Sequence, residues 1–273
     1  MRIKNAAAFL LLALIAFVWV MPILWMIMAS FMPYQHIIAF DLSGGSFTIG
    51  NYKILFFTDV FPKHLRNSLV ITICGTFLAT VLGSFSALYS VRNRRFSRYF
   101  LYWIVTSRII PPTAFLLPSY LMFQRLGMLN SIITLILIGF VLNYSLVFWL
   151  MRSVFAQLPR EMEYSALMDG ASRLRAFFDT TIRYSAPGLL FVAMFAGLFI
   201  WNEFLLSAVL TIDSTAQPLP ILLGQTLSLI KTDWGVLFAI GAIQVLPVML
   251  FIGLIFLMFK WKKSNIIRIS GGV

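Results

Sequence analysis

The chain has 273 residues, 60% of them hydrophobic and 11% charged, with a formal net charge of +12. That balance excludes a soluble globular chain, because apolar runs long enough to cross roughly 30 Å of hydrocarbon recur along it. It also excludes nucleic acid as the reason for the basic charge, since Lys and Arg gather at the edges of the apolar runs and not along one amphipathic face.

In chain order, Arg2 and Lys4 precede a first apolar run at 6–31, which contains Pro22 and is too long for a signal-peptide core. Residues 32–66 carry Pro33, Gly44, Gly45, Gly50 and Pro62 and read as a loop on the far side. A second span is expected at 67–91, where Gly75, Ala79, Gly83 and Ala87 recur every four residues, a stripe that admits a close helix neighbour. Cys74 is the single cysteine, so no intrachain disulfide forms, and with two His it provides no metal-ligand cluster. Arg92, Arg94, Arg95 and Arg98 then form a compact basic loop.

The third span, at about 100–123, is interrupted by Pro111, Pro112 and Pro118, with Arg108 just before the first pair. Broken helices at membrane depth are tolerated against protein or a water-filled cavity, and an arginine there is a functional candidate, or else one that snorkels or pairs structurally. Asn130 and Ser131 end a short turn before a fourth span at 132–151, which contains Asn143. A fifth span is expected at 186–210 and a sixth at 236–259, bent at Pro247, with an outer loop at 211–235 containing Pro218 and Pro220 between them. Trp201, Asn202, Glu203 and Phe204 fall towards the outer end of the fifth.

With the N-terminus inside, the inner segments hold fifteen of the 21 Lys and Arg residues and the outer segments five, Arg108 being the other. This bias places both termini and the loop at 152–185 in the cytoplasm. Residues 158–187 are the longest stretch unable to lie in a bilayer, and Arg160, Glu161, Glu163, Asp169, Arg173, Arg175, Asp179 and Arg183 intersperse both signs along it. Pro159 suits a first helical turn, Gly170 a left-handed C-cap, and Ser172 the N-cap of a second helix through Ile182. The segment reads either as a helix–turn–helix docking element on the membrane surface or as an amphipathic linker. No GxxxxGK[ST], G-x-S-x-G or HExxH motif is present, so no catalytic constellation is expected and the chain is read as a non-enzyme.

The central loop resembles the EAA loop of permease subunits in bacterial binding-protein-dependent ABC importers. That pattern runs Glu-Ala-Ala, three residues, Gly, nine residues, Ile-x-Leu-Pro. Ala166, Asp169, Gly170, Ala171 and Ser172 match its centre, whereas Tyr164, Ser165, Thr180, Ile182 and Arg183 depart from it; Glu163 stands one position before the missing acid. Ser30 to Pro33, Asn51 with Tyr52, Asn67 with Ser68, Trp201 to Phe204, and Arg268 to Val273 resemble further stretches of the carbohydrate-uptake branch, in the same order.

The resemblance implies an all-α, six-span permease of the type I importer fold, with residues 1–273 as one transmembrane domain in the bacterial inner membrane. It implies a second permease subunit, two ATP-binding subunits that carry ATP and Mg, and an extracytoplasmic solute-binding protein, with no cofactor and no nucleic acid on this chain. Coupling to the ATPases would fall on Glu163, Tyr164, Ser165, Ala166, Asp169, Gly170 and Ala171. Arg108, Asn143, Asn202 and Glu203 are the expected solute path, or else polar packing residues. A sugar, oligosaccharide or polyol is the implied solute, glycerol phosphate the nearest rival, and an ATP-independent secondary transporter the reading from another class.

Overall fold

The computed structural model describes residues 2–39, 47–159, 161–213, 215–227 and 232–270, without side-chain detail at 2–8, 94–96, 105 and 258–270. Gly44, Gly45, Arg160, Lys231 and the closing residues 271–273 therefore lie outside the described residues. Among the described residues there is helix and no strand, as a chain must be whose backbone polar groups find no water in the bilayer. Five helices are long and apolar enough to cross a membrane, or six if one sharply bent pair is a single span.

The chain divides into two compact units: residues 1–63 with 222–246, and residues 64–221 with 247–273. The first unit contains α1 (Arg2–Ala29), which Pro22 does not break, and every residue from Phe9 to Leu24 is exposed. The stretch read as a loop after it instead holds α2 (Tyr34–Ala39) and α3 (Gly50–Phe57). Ala29, Met32 and Ile37 are buried there against Trp25, Met28 and Phe238. Two of the matched stretches meet at this point. Asn51 Nδ2 donates to the carbonyls of Ser30 and Met32, both at 2.9 Å, and the Tyr52 hydroxyl lies 2.7 Å from Ser30 Oγ. Asn51 thereby satisfies two carbonyls just past the end of α1, where the helix no longer pairs them.

The second unit is built on α4 (Val60–Arg92), α5 (Arg94–Ile109), α6 (Leu116–Arg125), α7 (Ile132–Ala156) and a long helix ending at Trp201. α4 starts seven residues before the expected span and continues to Arg92, so the basic segment is not a loop: Asn93 alone separates α4 from α5. The third span is broken as its prolines require, its halves meeting at 92° across a 3₁₀ turn at Pro112–Phe115. In the first half of α4, Asn67 Nδ2 donates to the carbonyls of Thr215 and Gln217, both at 3.1 Å, and Ser68 Oγ accepts from Leu219 N at 2.7 Å.

The small-residue stripe of α4 does what its spacing implies. Ala79 and Ala87 are fully buried with Val147, Phe148 and Met151 of α7. A Cβ built on Gly83 would stand 2.8 Å from Val147 Cγ1 and 3.3 Å from Phe148 N. Valine in a helix has essentially one χ1 rotamer, so Val147 cannot swing away. Gly83→Ala is expected to destabilise the chain by about 1–3 kcal/mol, as overpacked cores are. Adding Val147→Ala should recover part of the loss; thermal unfolding of the detergent-solubilised variants checks this, and equal midpoints for wild type and Gly83→Ala would refute the close approach.

Candidate functional site

The segment after α7 folds as its caps specify. α8 (Glu161–Met168) begins two residues after Pro159 and has Glu161 and Glu163 in its first turn, where negative charge meets the positive end of the helix. Gly170 sits at φ +87, its N–H donates to Leu167 O at 3.1 Å, and Ala171 N donates to Ala166 O at 3.0 Å. This pair of bonds is the Schellman closure. A Cβ on Gly170 would meet nothing within 4 Å, so the backbone angle alone asks for glycine. Ser172 Oγ accepts from Arg175 N at 3.3 Å and caps α9 (Arg173–Ala176).

One expectation needs correction. The second helix does not stop at Ile182. It passes through a π-helical turn at Phe177–Ile182 into α10 (Arg183–Trp201), giving 29 helical residues from Arg173 to Trp201. Two side chains bond within the widened turn and its exit, Thr180 Oγ1 to Ala176 O at 2.6 Å and Ser185 Oγ to Thr181 O at 2.7 Å. Pro187 lies inside α10 without ending it. The second arm of the loop is thus the N-terminal part of a helix long and apolar enough to cross a membrane.

The helix–turn–helix has two faces. On the outer one Tyr164 is 61% exposed and Met168 88%, and Ser165, Asp169 and Gly170 are exposed beside them, with Ala166 and Ala171 half-buried at the turn. Leu174 is 72% exposed next to this turn. Met168 and Leu174 escaped the sequence reading; their signal is a large apolar side chain beside charge, Met168 before Asp169 and Leu174 between Arg173 and Arg175. The ion pair between Arg175 and Asp179, both largely exposed at 3.4 Å, adds little.

Glu163 is turned to the other face. Its side chain is 26% exposed, Oε2 pairs with Arg92 at the end of α4, and the Thr181 hydroxyl donates to it at 3.4 Å. The α-helical step of about 100° per residue explains this: Tyr164 cannot face outward with Glu163 beside it. Behind α8 lies a cavity of about 320 Å³ between the C-terminal ends of α4 and α7, the start of α5 and the π turn. Arg92, Arg152, Glu163, Ser97 and Thr181 supply polar groups to its wall.

The four residues expected on a solute path are not brought together by any described hydrogen bond. Arg108, a functional candidate or else one that snorkels or pairs structurally, is exposed in the last turn of α5, which ends at Ile109, before the prolines. Asn143 is buried in α7 and donates to Gly139 O of its own helix at 2.9 Å. Asn202 caps α10 at the C-terminus and donates to Leu198 O at 2.8 Å. Glu203 opens α11 (Leu205–Leu210), accepting from Leu206 N at 2.8 Å, Ser207 N at 2.9 Å and the Ser207 hydroxyl at 2.8 Å. The expected fifth span is therefore interrupted at 202–204, and α12 (Leu219–Leu227) occupies part of the expected loop after it.

Near these outer ends Asn130, at φ 57, accepts from Ile212 N and Asp213 N at 3.3 Å. Hydrogen bonds from the Thr215 hydroxyl first, then Asn130 and Thr215 N, hold the Asp213 carboxyl below its ordinary pKa. Among the described residues no group of three or more His, Cys, Asp or Glu side chains is placed to hold a metal ion.

Comparison with known proteins gives these features a context. The chain is similar to a diacetylchitobiose uptake system permease protein of Streptomyces coelicolor, 26% identical with 85% of each chain covered. A second diacetylchitobiose permease of that organism is 29% identical, with 88% of this chain and 81% of that protein covered. Among solved structures, a bacterial ABC transporter that imports the acidic polysaccharide alginate superposes with a TM-score of 0.77 at 21% identity, over 93% of this chain and 95% of that one; the fold is that of a type I importer permease. Residues 79–263 match the binding-protein-dependent transport system inner membrane component family, and to that family of multi-pass membrane permeases the chain belongs.

Proposed function

We propose that the chain is the membrane-spanning subunit of an ATP-driven importer for an oligosaccharide or a related sugar or polyol. The carrying observation is the exposed face of α8 and its turn, mounted on a helix that runs without a break from Arg173 to Trp201. The carbohydrate assignment draws on the diacetylchitobiose permeases and the alginate transporter to which the chain is similar. In this reading the loop is cytoplasmic, as are both termini, in keeping with the bias of Lys and Arg. Two ATPase subunits bind ATP and Mg and receive α8, a second permease completes the passage, and an extracytoplasmic receptor delivers the solute. This subunit performs no chemistry itself.

The mechanism follows from the mechanics of the loop. Force applied to Tyr164, Ser165, Met168, Asp169 and Gly170 enters a turn whose carbonyls are closed by two backbone bonds, then a continuous helix. The Arg92–Glu163 pair ties α8 to the inner end of α4, so that one push moves two membrane helices. Alternation of the passage between its two openings is the expected consequence.

Purification with its genomic neighbours should retain two ATPase copies and a second permease; a chain that runs alone and transports without ATP would overturn the proposal. Gly170→Ala and Gly170→Arg meet the same unfavourable φ, costing about 1–3 kcal/mol, and neither meets an atom of this chain. Ala should preserve solute uptake per ATP, whereas Arg, projecting from the docking face, should uncouple it; equal coupling in the two variants would sink the docking role. Arg92→Glu should likewise lower uptake per ATP severalfold, and Arg92→Glu with Glu163→Arg should restore much of it, measured in proteoliposomes.

A further inference from the structure

The cavity behind α8 is more than a gap between helices. At about 320 Å³ it stands at the lower end of the roughly 300–1,000 Å³ range of small-ligand pockets. Its ionisable lining is Arg92, Arg152, Glu163 and Tyr184. Glu163 is engaged with Arg92, which leaves Arg152 without an acid among the described lining residues. Arg152 projects from the inner end of α7, and its Nη2 donates to Ser97 Oγ at 3.3 Å. Its Nε is buried and has no hydrogen-bond partner among the described residues. Ser97 Oγ also accepts from Ser90 Oγ at 3.2 Å, so with both of these contacts arriving at its oxygen its own proton is left to donate. A buried guanidinium N–H with nothing to bond is costly, and native structures rarely keep one without reason.

We infer that this cavity is an anion site that takes a phosphate-bearing group at the inner membrane edge. A guanidinium fork matches phosphate geometry, and donors at Arg152 and Ser97 converge where the positive charge is uncompensated. Arg98 follows one residue after Ser97 at the start of α5 and adds positive charge there. Basic pockets between membrane helices on the cytoplasmic side suit anionic lipid headgroups, and this location rests on the orientation in the proposed function. Because α4, α5, α7, α8 and the π turn all contribute to the wall, an occupant braces the docking helix against the membrane helices.

The test uses the full-length chain with whatever subunits co-purify, delipidated in detergent and titrated with dioctanoyl phosphatidylglycerol or dioctanoyl phosphatidylcholine, with binding read by native mass spectrometry. Wild type should bind phosphatidylglycerol roughly tenfold more tightly than phosphatidylcholine. Arg152→Gln should abolish that preference, Arg152→Lys should keep part of it, and Ser97→Ala should weaken it severalfold, with thermal unfolding confirming that each variant is folded. Displacement of bound phosphatidylglycerol by millimolar inorganic phosphate assigns the site to soluble phosphate, and resistance to displacement assigns it to lipid; both support an anion site. Equal affinity of wild type for the two lipids overturns it, as does wild-type behaviour of both Arg152→Gln and Ser97→Ala. Arg152-dependent binding to a chain without ATPases would keep the site and remove the importer, whereas an intact ATP-driven complex without lipid preference would do the reverse.

Discussion

A helix end has backbone groups that its own ladder cannot satisfy, and within or beside hydrocarbon there is no water to take them. Much of the polar chemistry of this chain answers that constraint. Asn51 receives the end of α1, Asn67 and Ser68 fasten residues 215–219 to the outer end of α4, and Glu203 starts α11 with both carboxylate oxygens. These include the residues by which the sequence resembles its family. Asn51 with Tyr52, Asn67 with Ser68 and the Trp201–Phe204 stretch are places where one side chain closes several backbone bonds. Their recurrence needs no solute contact to explain it.

The same constraint shapes the helix–turn–helix that follows α7. Gly170 turns the chain so that α8 closes on its own carbonyls, and Ser172 opens the next helix without a gap. The helix that follows continues to Trp201, so the loop's second arm is part of a membrane helix. Tyr164, Met168 and Leu174 stand exposed around the turn, and under the proposed function they belong to the surface that the ATPase meets.

The membrane segments, the turn at Gly170 and the cap at Ser172 were legible because each depends on local pattern: run length, a positive φ, a side-chain oxygen beside free N–H groups. What was not legible depends on pairing at a distance. Arg92 and Glu163 are 71 residues apart, and nothing in the sequence selects that partner among the arginines of 92–98. Glycines and prolines at 32–66 resembled a loop, yet Gly50 and Pro62 lie in the first turn of α3 and α4, where both are tolerated. Arg108 stands beside the prolines that break the third span, a place shared by functional and snorkelling arginines, and it is exposed in the last turn of α5. Glu203 carried a charge near the end of an apolar run, a pattern shared by path residues and helix caps; only the bonds from Leu206 and Ser207 separate the two.

One contrast within the second unit bears on how such a subunit moves. The hydroxyls of Thr72, Thr76, Thr80 and Ser84 recur every four residues along α4, buried and without a partner among the described residues. Next to them runs the Gly75, Ala79, Gly83, Ala87 stripe, and Gly197 of α10 approaches Thr76 so closely that a Cβ would come within 3.2 Å of its Oγ1. The packing is tight, but no described hydrogen bond of these four hydroxyls crosses it, so none of them fixes one register of the helices over the next. At the C-terminal end of α4 the opposite holds, because Arg92, Glu163 and Thr181 fix α4 to α8 and the π turn by charge and direction. Between the bonds of Asn67 and Ser68 at its start and the Arg92 pair at its end, the Thr72–Ser84 face of α4 is held by shape and can slide without breaking buried polar bonds of its own. That division of labour is what the proposed alternation of the passage requires of α4.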